Sequence, residues 1–505
     1  MQTIKFGTDG WRAVIAEDFT FDNVRACAQG VADYLKQAKL ADRGLVIGYD
    51  MRFASEDFAA AAAEVIAANK IKVHLCSKAA PTPVISYAVT ATKSAGGIII
   101  TASHNPARWN GFKFKDDLGA SAPSEVAAEI EKQANKVLSP CNITRLPVIG
   151  EFISLYLCVQ SIVTPSRGIN VKSDIKRLPL ADGLKNKLVT YFDPDPAYFK
   201  QLERLIDLKA IRRSSLKIIV DSMYGAGIGY FTELFKGSKI EVIPINGERN
   251  PSFPGINPEP IAKNLAKLSS VIKEQKANVG IANDGDADRI GIVDEKGNFI
   301  NQLQVFALLV LYFLEVRGER GAVIKTLSDT MMIDRLGKLF NVPVYETPVG
   351  FKYVAPLMVE KNALIGGEES GGYGFRGHVP ERDGILAGLY FLDFMIKTGK
   401  APSQLLEYLF SKVGPHYYDR IDVHIATDAH RKYTDKLANS SIKSIAGKEV
   451  VRVDTTDGFR YILSDDSWLL IRFSGTEPLI RIYAESDTVK QVQKILEGGK
   501  KLLGL

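Results

Sequence analysis

Residues 97–113 read GIIITASHNPARWNGFK, and the fold follows from how this stretch changes character. Ile98 to Ile100 is an apolar run the length of a short buried strand, and it gives way at once to Thr101-Ala102-Ser103-His104-Asn105-Pro106. Small polar residues and a proline cannot extend a strand. Ser103 is therefore expected on a tight loop at the strand's carboxyl end, the edge where open α/β sheets bind ligands. A serine there, followed by His104 and farther on by Lys113, suits a nucleophile or phosphate carrier with cationic neighbours. For Ser103 and His104 alone, a capped turn with a solvated histidine is the competing account.

Working outward, strands and helices alternate. Phe6-Gly7-Thr8-Asp9-Gly10-Trp11-Arg12 is a glycine-punctuated loop bearing one arginine. A strand is expected over 45–49, then Asp50-Met51-Arg52, then an alanine-rich helix over 56–69 with Ser55 as its N-cap. A strand over 72–76 and a proline-opened helix from Pro83 lead back to the Ser103 loop. The strand-turn-helix unit recurs at 216–236 and again at 322–340, where Ser328 or Asp329 is the expected cap. Such alternation implies α/β domains in tandem, each with a parallel sheet. Gly225-Ala226-Gly227-Ile228-Gly229 lacks the spacing and the acidic partner of a dinucleotide loop. Residues 419–425 and 450–463 instead alternate like half-exposed strands, and a helix over 487–503 closes the chain, which indicates a smaller α+β domain. The expected domains are 1–192, 193–298, 299–402 and 403–505. Residues 139–175 read as an insertion packed on the first domain, or else a partner-docking hairpin; the apolar part, 148–163, is too short to span a bilayer.

Composition narrows the class. With 505 residues, 46% hydrophobic and 24% charged, the chain can bury several cores. A net charge of +6 is mild at this length, arguing against a nucleic-acid binder and agreeing with small anionic substrates. Cys27, Cys76, Cys141 and Cys158 lack metal-type spacing and read as reduced thiols. With neither a signal-like amino terminus nor a membrane-length apolar span, a cytoplasmic protein is expected.

Three further loops carry chemistry. Asn283-Asp284-Gly285-Asp286-Ala287-Asp288-Arg289 places three carboxylates at alternate positions between two strand-like runs. They repel one another unless a hard cation sits among them, and oxygen ligands of this kind suit Mg²⁺. A calcium EF-hand needs glycine where Arg289 stands and helices where strands are expected; an unliganded acidic turn is the remaining account. Gly366-Gly367-Glu368-Glu369-Ser370-Gly371-Gly372 joins acceptor side chains to a flexible backbone, suiting sugar hydroxyls or an ordinary glycine-rich turn. Gly350-Phe351-Lys352 and the stretch from His378 to Asp383 add loop cations. Arg472-Phe473-Ser474-Gly475-Thr476-Glu477-Pro478 offers a forked donor and successive amides, a phosphate clamp or a polar turn.

Together and in order, TASHNP, DGDADR, GEESGG and RFSGTEP, with FGTDGWRA at the start, resemble the α-D-phosphohexomutase family of phosphoglucomutases, phosphomannomutases and phosphoglucosamine mutases. The resemblance spans nearly the whole chain apart from 139–175. It implies three similar α/β domains with mixed sheets and a more mobile fourth, around a central cleft. By position it makes Ser103 the phosphoryl carrier and Asp284, Asp286 and Asp288 the Mg²⁺ ligands, with the phosphoserine oxygen completing that site. Arg12, His104, Lys113 and Arg289 match residues around the transferred phosphate. Glu368 and Ser370 match the pair on sugar hydroxyls, and Arg472, Ser474, Gly475 and Thr476 match the clamp on the other phosphate.

Two departures bear on the substrate. Gly372 stands where mannose- and glucosamine-type members often have His, and Phe351-Lys352 resembles the phosphoglucomutase pattern, which makes Lys352 a candidate acid/base. Phe473 replaces a proline common in the clamp without disturbing its donors. The resemblance thus implies interconversion of hexose 1- and 6-phosphates, glucose first, through bound glucose 1,6-bisphosphate. Mannose phosphate or dual specificity, a hexose 1,6-bisphosphate synthase, and a non-catalytic sugar-phosphate sensor are the alternatives. Expected partners are hexose phosphates alone, with no nucleic acid or membrane, in a monomer or homodimer.

Overall fold

A computed structural model describes residues 4–7, 9–138, 175–426, 429–473 and 479–505. Residues 139–174 of the expected insertion, with Cys141 and Cys158, lie outside the described residues, as do the clamp positions Ser474, Gly475 and Thr476. Cys27 and Cys76 are buried free thiols. No described helix is long and apolar enough to cross a membrane.

The architecture is three α/β units, each built on one mixed sheet of six, five and four strands, and a carboxyl-terminal α+β unit on a six-stranded sheet. The sheets are not wholly parallel as alternation suggested. Gly97–Ile100 lies parallel to Leu45–Tyr49 but antiparallel to Trp109–Lys115. Val279–Asn283 lies parallel to Lys217–Asp221 but antiparallel to Ile290–Val293. Ile365–Gly367 lies parallel to Val323–Thr326 but antiparallel to Tyr373–Phe375. The connections 101–108, 284–289 and 368–372 are too short for a parallel crossover, which takes a dozen or more residues, so the chain has to return antiparallel. The Ser103 loop, the acidic loop and the Glu368 loop are therefore the same structural element in three successive units.

Two helices form the spine that holds these units together. Gln302–Leu311 is wholly buried and apolar beyond its first turn, opened by a reciprocal Asn301/Gln304 capping box. Gly384–Thr398 is buried from Gly384 to Met395, and the Asp383 side chain accepts from the amides of Ile385 and Leu386 at its start. Expected boundaries shift for physical reasons. Phe299–Ile300 pairs with Ile290–Val293, so a break before 299 would cut the second sheet. Pro402–Val413 packs on Gln302–Leu311 and Met331–Phe340, so this helix sits with the third unit rather than the fourth.

Two expected caps also differ. Ser55 is the first residue of its helix, and its hydroxyl donates to Asp50 instead of capping. Thr330, rather than Ser328 or Asp329, caps Met331–Phe340, because the Asp329 carboxylate is taken by the Thr326 amide and hydroxyl.

Candidate active site

Ser103 leaves its strand with φ at +52°, a left-handed conformation that costs a non-glycine residue free energy and needs outside support. Thr101 Oγ1 accepts from the Ser103 amide at 2.9 Å. The fully buried Arg52 guanidinium donates to the carbonyls of Ser103 at 2.5 Å, Asn105 at 2.6 Å, Pro106 at 3.0 Å and Trp109 at 3.1 Å. Asp50 pairs with Arg52 Nε at 3.2 Å and accepts from Thr101 Oγ1 at 2.6 Å. Loop 101–109 is thus wound around one arginine.

The acidic loop meets it directly. The Ser103 hydroxyl donates to Asp284 Oδ2 at 2.8 Å, and a Cβ at Gly285 would lie 2.3 Å from the Ser103 carbonyl oxygen, so only glycine permits this approach. Asp284, Asp286 and Asp288 are fully buried and present one oxygen each, all within 4.8 Å of one another. Burial and the other two carboxylates push Asp284 well up, whereas Lys113 and hydrogen bonds hold Asp286 down against its burial. Asp286 Oδ1 and Asp288 Oδ1 are buried without a hydrogen-bond partner. Converging carboxylates that keep buried oxygens without a hydrogen-bond donor fit a hard divalent cation.

Cations surround the trio. Lys113 Nζ lies 2.8 Å from Asp286 and 2.7 Å from Asp9, and these carboxylates raise its pKa despite burial. The Arg289 amide donates to Asp284 Oδ1 at 3.1 Å, and its Nε is 3.8 Å from Asp288. Arg12 donates to Asn105 Oδ1 at 2.7 Å. His104 Nδ1 lies 3.4 Å from Ser103 Oγ; burial, with Arg289 and Arg12 close by, holds its pKa well down and keeps the ring neutral. Thr82 fixes Asp286 through its hydroxyl at 2.7 Å.

From the third unit, Glu368 lies 3.5 Å from Arg382, and the Ser370 hydroxyl is buried without a partner, a polar group set for a ligand. Lys352 stands on the first turn of Phe351–Lys361 with its ammonium 5.1 Å from the Tyr353 ring. It shares a cavity of about 120 Å³ with Asp9, Ser121 and Glu131, beside the charged cluster rather than in it. Arg472 Nε donates to Asp457 at 2.9 Å.

The comparisons fit this geometry. The four Phosphoglucomutase/phosphomannomutase family models match in order: domain I, alpha/beta/alpha, over 3–140; domain II, alpha/beta/alpha, over 196–297; domain III, alpha/beta/alpha, over 301–413; and the C-terminal domain over 427–498. A phosphoglucomutase/phosphomannomutase from Thermococcus kodakarensis is 30% identical over 99% of this chain and 98% of its own. The chain belongs to the phosphoglucomutase/phosphomannomutase family. Within this phosphohexomutase family the sugar varies: a phosphoglucosamine/phosphogalactosamine mutase from Sulfurisphaera tokodaii is 25% identical over 98% of this chain and 99% of its own. The crystal structure of a Thermus thermophilus protein designated a phosphomannomutase superposes with a TM-score of 0.80 at 33% identity, covering 99% of each chain.

The residue that the motifs of this phosphohexomutase leave in the background is Arg382. Its guanidinium lies 2.8 Å from Asp288, 2.9 Å from Asp9 and 3.0 Å from Glu381, with the Phe351 ring 5.5 Å away. It is buried and joins the acidic loop to the Glu368 loop. Glu381 pairs in turn with the wholly buried Lys115. Sequence reading sees Arg382 only as one more loop cation, since Asp9 and Asp288 lie far away along the chain.

Proposed function

We propose that this protein interconverts hexose 1-phosphate and hexose 6-phosphate, glucose first, by shuttling a phosphoryl group through Ser103. The observation that carries the reading is the Ser103 hydroxyl hydrogen-bonded to a buried aspartate trio inside a ring of cations. Asp284, Asp286 and Asp288 would hold Mg²⁺, which when bound neutralises charge on the transferring phosphoryl group. In the forward half-reaction the Ser103 Oγ–P bond breaks as the free 6-hydroxyl of hexose 1-phosphate bonds to phosphorus and gives up its proton to the acid/base. Ser103 Oγ keeps the electron pair of the broken bond and takes up a proton, restoring the hydroxyl that donates to Asp284. The hexose 1,6-bisphosphate turns over, and Ser103 Oγ takes the 1-phosphoryl group, releasing hexose 6-phosphate. Lys113, Arg12 and Arg289 offset the phosphoserine dianion, which carries about −1.5 to −2 charges at neutral pH. Lys352 is the candidate acid/base for the sugar hydroxyl.

Glu368 and the buried Ser370 hydroxyl support sugar recognition, with Arg472 and the 474–476 loop gripping the non-reacting phosphate. Glucose is favoured by the resemblance, in which Gly372 stands where mannose- and glucosamine-type members often have His; a Cβ at 372 would lie 2.3 Å from Arg382 Cδ, so this placement of Arg382 goes with the glycine. Comparing kcat/KM for glucose, mannose and glucosamine 1-phosphates, with Mg²⁺ and a trace of glucose 1,6-bisphosphate, tests the reading. Preference for the mannose or glucosamine ester overturns the sugar, and no turnover of any of the three overturns the mutase.

A further inference from the structure

The carboxylate of Asp457 sits where two domains and one arginine meet. It lies in the turn between Lys448–Asp454 and Phe459–Leu463, and the next residue, Gly458, has φ at +98° with its Cβ position 2.5 Å from the Ile471 carbonyl oxygen. The turn is pressed onto the strand that carries Arg472. One oxygen, Asp457 Oδ2, accepts from Arg472 Nε at 2.9 Å and from the Val349 amide at 3.0 Å. Val349 belongs to the third unit, and the chain runs from it through Gly350 into Phe351 and Lys352. A second tie grips the same segment: the buried Arg460 donates to both oxygens of Glu346, at 2.7 and 2.6 Å, and to the Leu327 carbonyl.

We infer that Asp457 is a positioning residue with two tasks. An ionic acceptor on Nε fixes the plane of a guanidinium, and that plane sets where its terminal nitrogens meet a phosphate dianion. The same oxygen registers Arg472 to the Val349 amide, so that the grip on the non-reacting phosphate and the setting of loop 350–352 change together. The inference rests on the reading of Arg472 as a phosphate-binding residue.

The test uses the full chain and a double-mutant cycle, read both as glucose 6-phosphate binding by calorimetry and as turnover of glucose 1-phosphate with Mg²⁺. Asp457→Asn keeps an acceptor for Val349 but removes the charge facing Arg472, and should weaken binding and raise KM about tenfold with kcat little changed. Arg472→Ala should weaken binding about a hundredfold, and the double variant should be no weaker than Arg472→Ala, because both changes remove one interaction. Asp457→Ala, which also strips the Val349 acceptor, should lower kcat about tenfold beyond the asparagine variant. Full additivity in the cycle, or wild-type binding by Asp457→Asn, overturns the positioning role; identical kcat for the alanine and asparagine variants overturns the link to the third unit. A wild-type protein that binds glucose 6-phosphate and shows the coupling without turnover would sink the mutase reading and leave this one standing.

Discussion

The Ser103 hydroxyl donates to Asp284 across 2.8 Å although 181 positions separate them in the chain. The proposed carrier and the acidic trio are thus joined by a direct hydrogen bond, and the Gly285 and Ser103 backbones meet with no room for a side chain at 285. Replacing Ser103 with alanine removes the proposed carrier and leaves Arg52, Gly285 and the trio in place. Turnover should fall by at least about a thousandfold with an unchanged melting profile. Near-normal rates would mean the phosphoryl group travels on another residue.

Gly285→Ala tests the approach itself. The added methyl meets the Ser103 carbonyl oxygen at 2.3 Å, where backbone faces backbone and neither has a side chain to swing aside. Displacing the acidic loop by about an ångström should cost on the order of a hundredfold in kcat/KM while the four units stay folded. A wild-type rate would show that the loop relaxes freely.

Arg52→Lys keeps the charge and loses the fork. An ammonium cannot reach the four carbonyls that this guanidinium serves, and Asp50 stays buried beside it. Chemical denaturation should report a loss of about 2–4 kcal/mol, accompanied by slower turnover. Unchanged stability would argue that water takes the arginine's place.

Metal dependence should appear as a stability inversion. Asp284 is pushed up by burial and its two acidic neighbours, so at neutral pH its ionised form opposes folding unless a cation is present. Asp284→Asn should melt higher than the wild type in chelator, gain nothing from added Mg²⁺, and lack activity. If chelation leaves the wild-type melting temperature untouched and Mg²⁺ does not raise it, the trio is not a metal site.

Glu485, buried near His416 and accepting from the Met331 amide, is pushed up to about 7 from an ordinary 4.5, chiefly by burial. A folded-state value above the ordinary one gives stability that is complete below about 4.5 and lost as pH rises through about 7. Glu485→Gln should therefore match the wild type near pH 4.5 and exceed it by up to about 3 kcal/mol at pH 8. A constant difference across this range would show that titration of Glu485 is not the cause.

The chemistry-bearing loops were legible because each interrupts an apolar strand with glycines and polar residues that have no place inside a sheet. Their shortness also held the clue to the mixed sheets, since stretches such as 284–289 can only turn back antiparallel. What stayed hidden was pairing at long range. Asp9, Arg382 and Glu381 look like ordinary loop charges until the units close on one another, and no local pattern announces that Arg382 touches Asp288 and Asp9 together. Local rules also misplaced Ser55, whose hydroxyl is drawn from its helix end by the buried Asp50 of the Arg52 cluster.

The ion pair between Lys115 and Glu381 has a consequence for biosynthesis. Its partners are 266 positions apart, so at about 5–20 residues per second roughly 13–50 s separate their emergence from the ribosome. During that interval the buried lysine has only Asp9, 3.3 Å away, as its acidic partner from the first unit, and lacks Glu381. A chain truncated before residue 381 would fold its first sheet around a lysine held by Asp9 and Ser121 alone, its closing partner still missing.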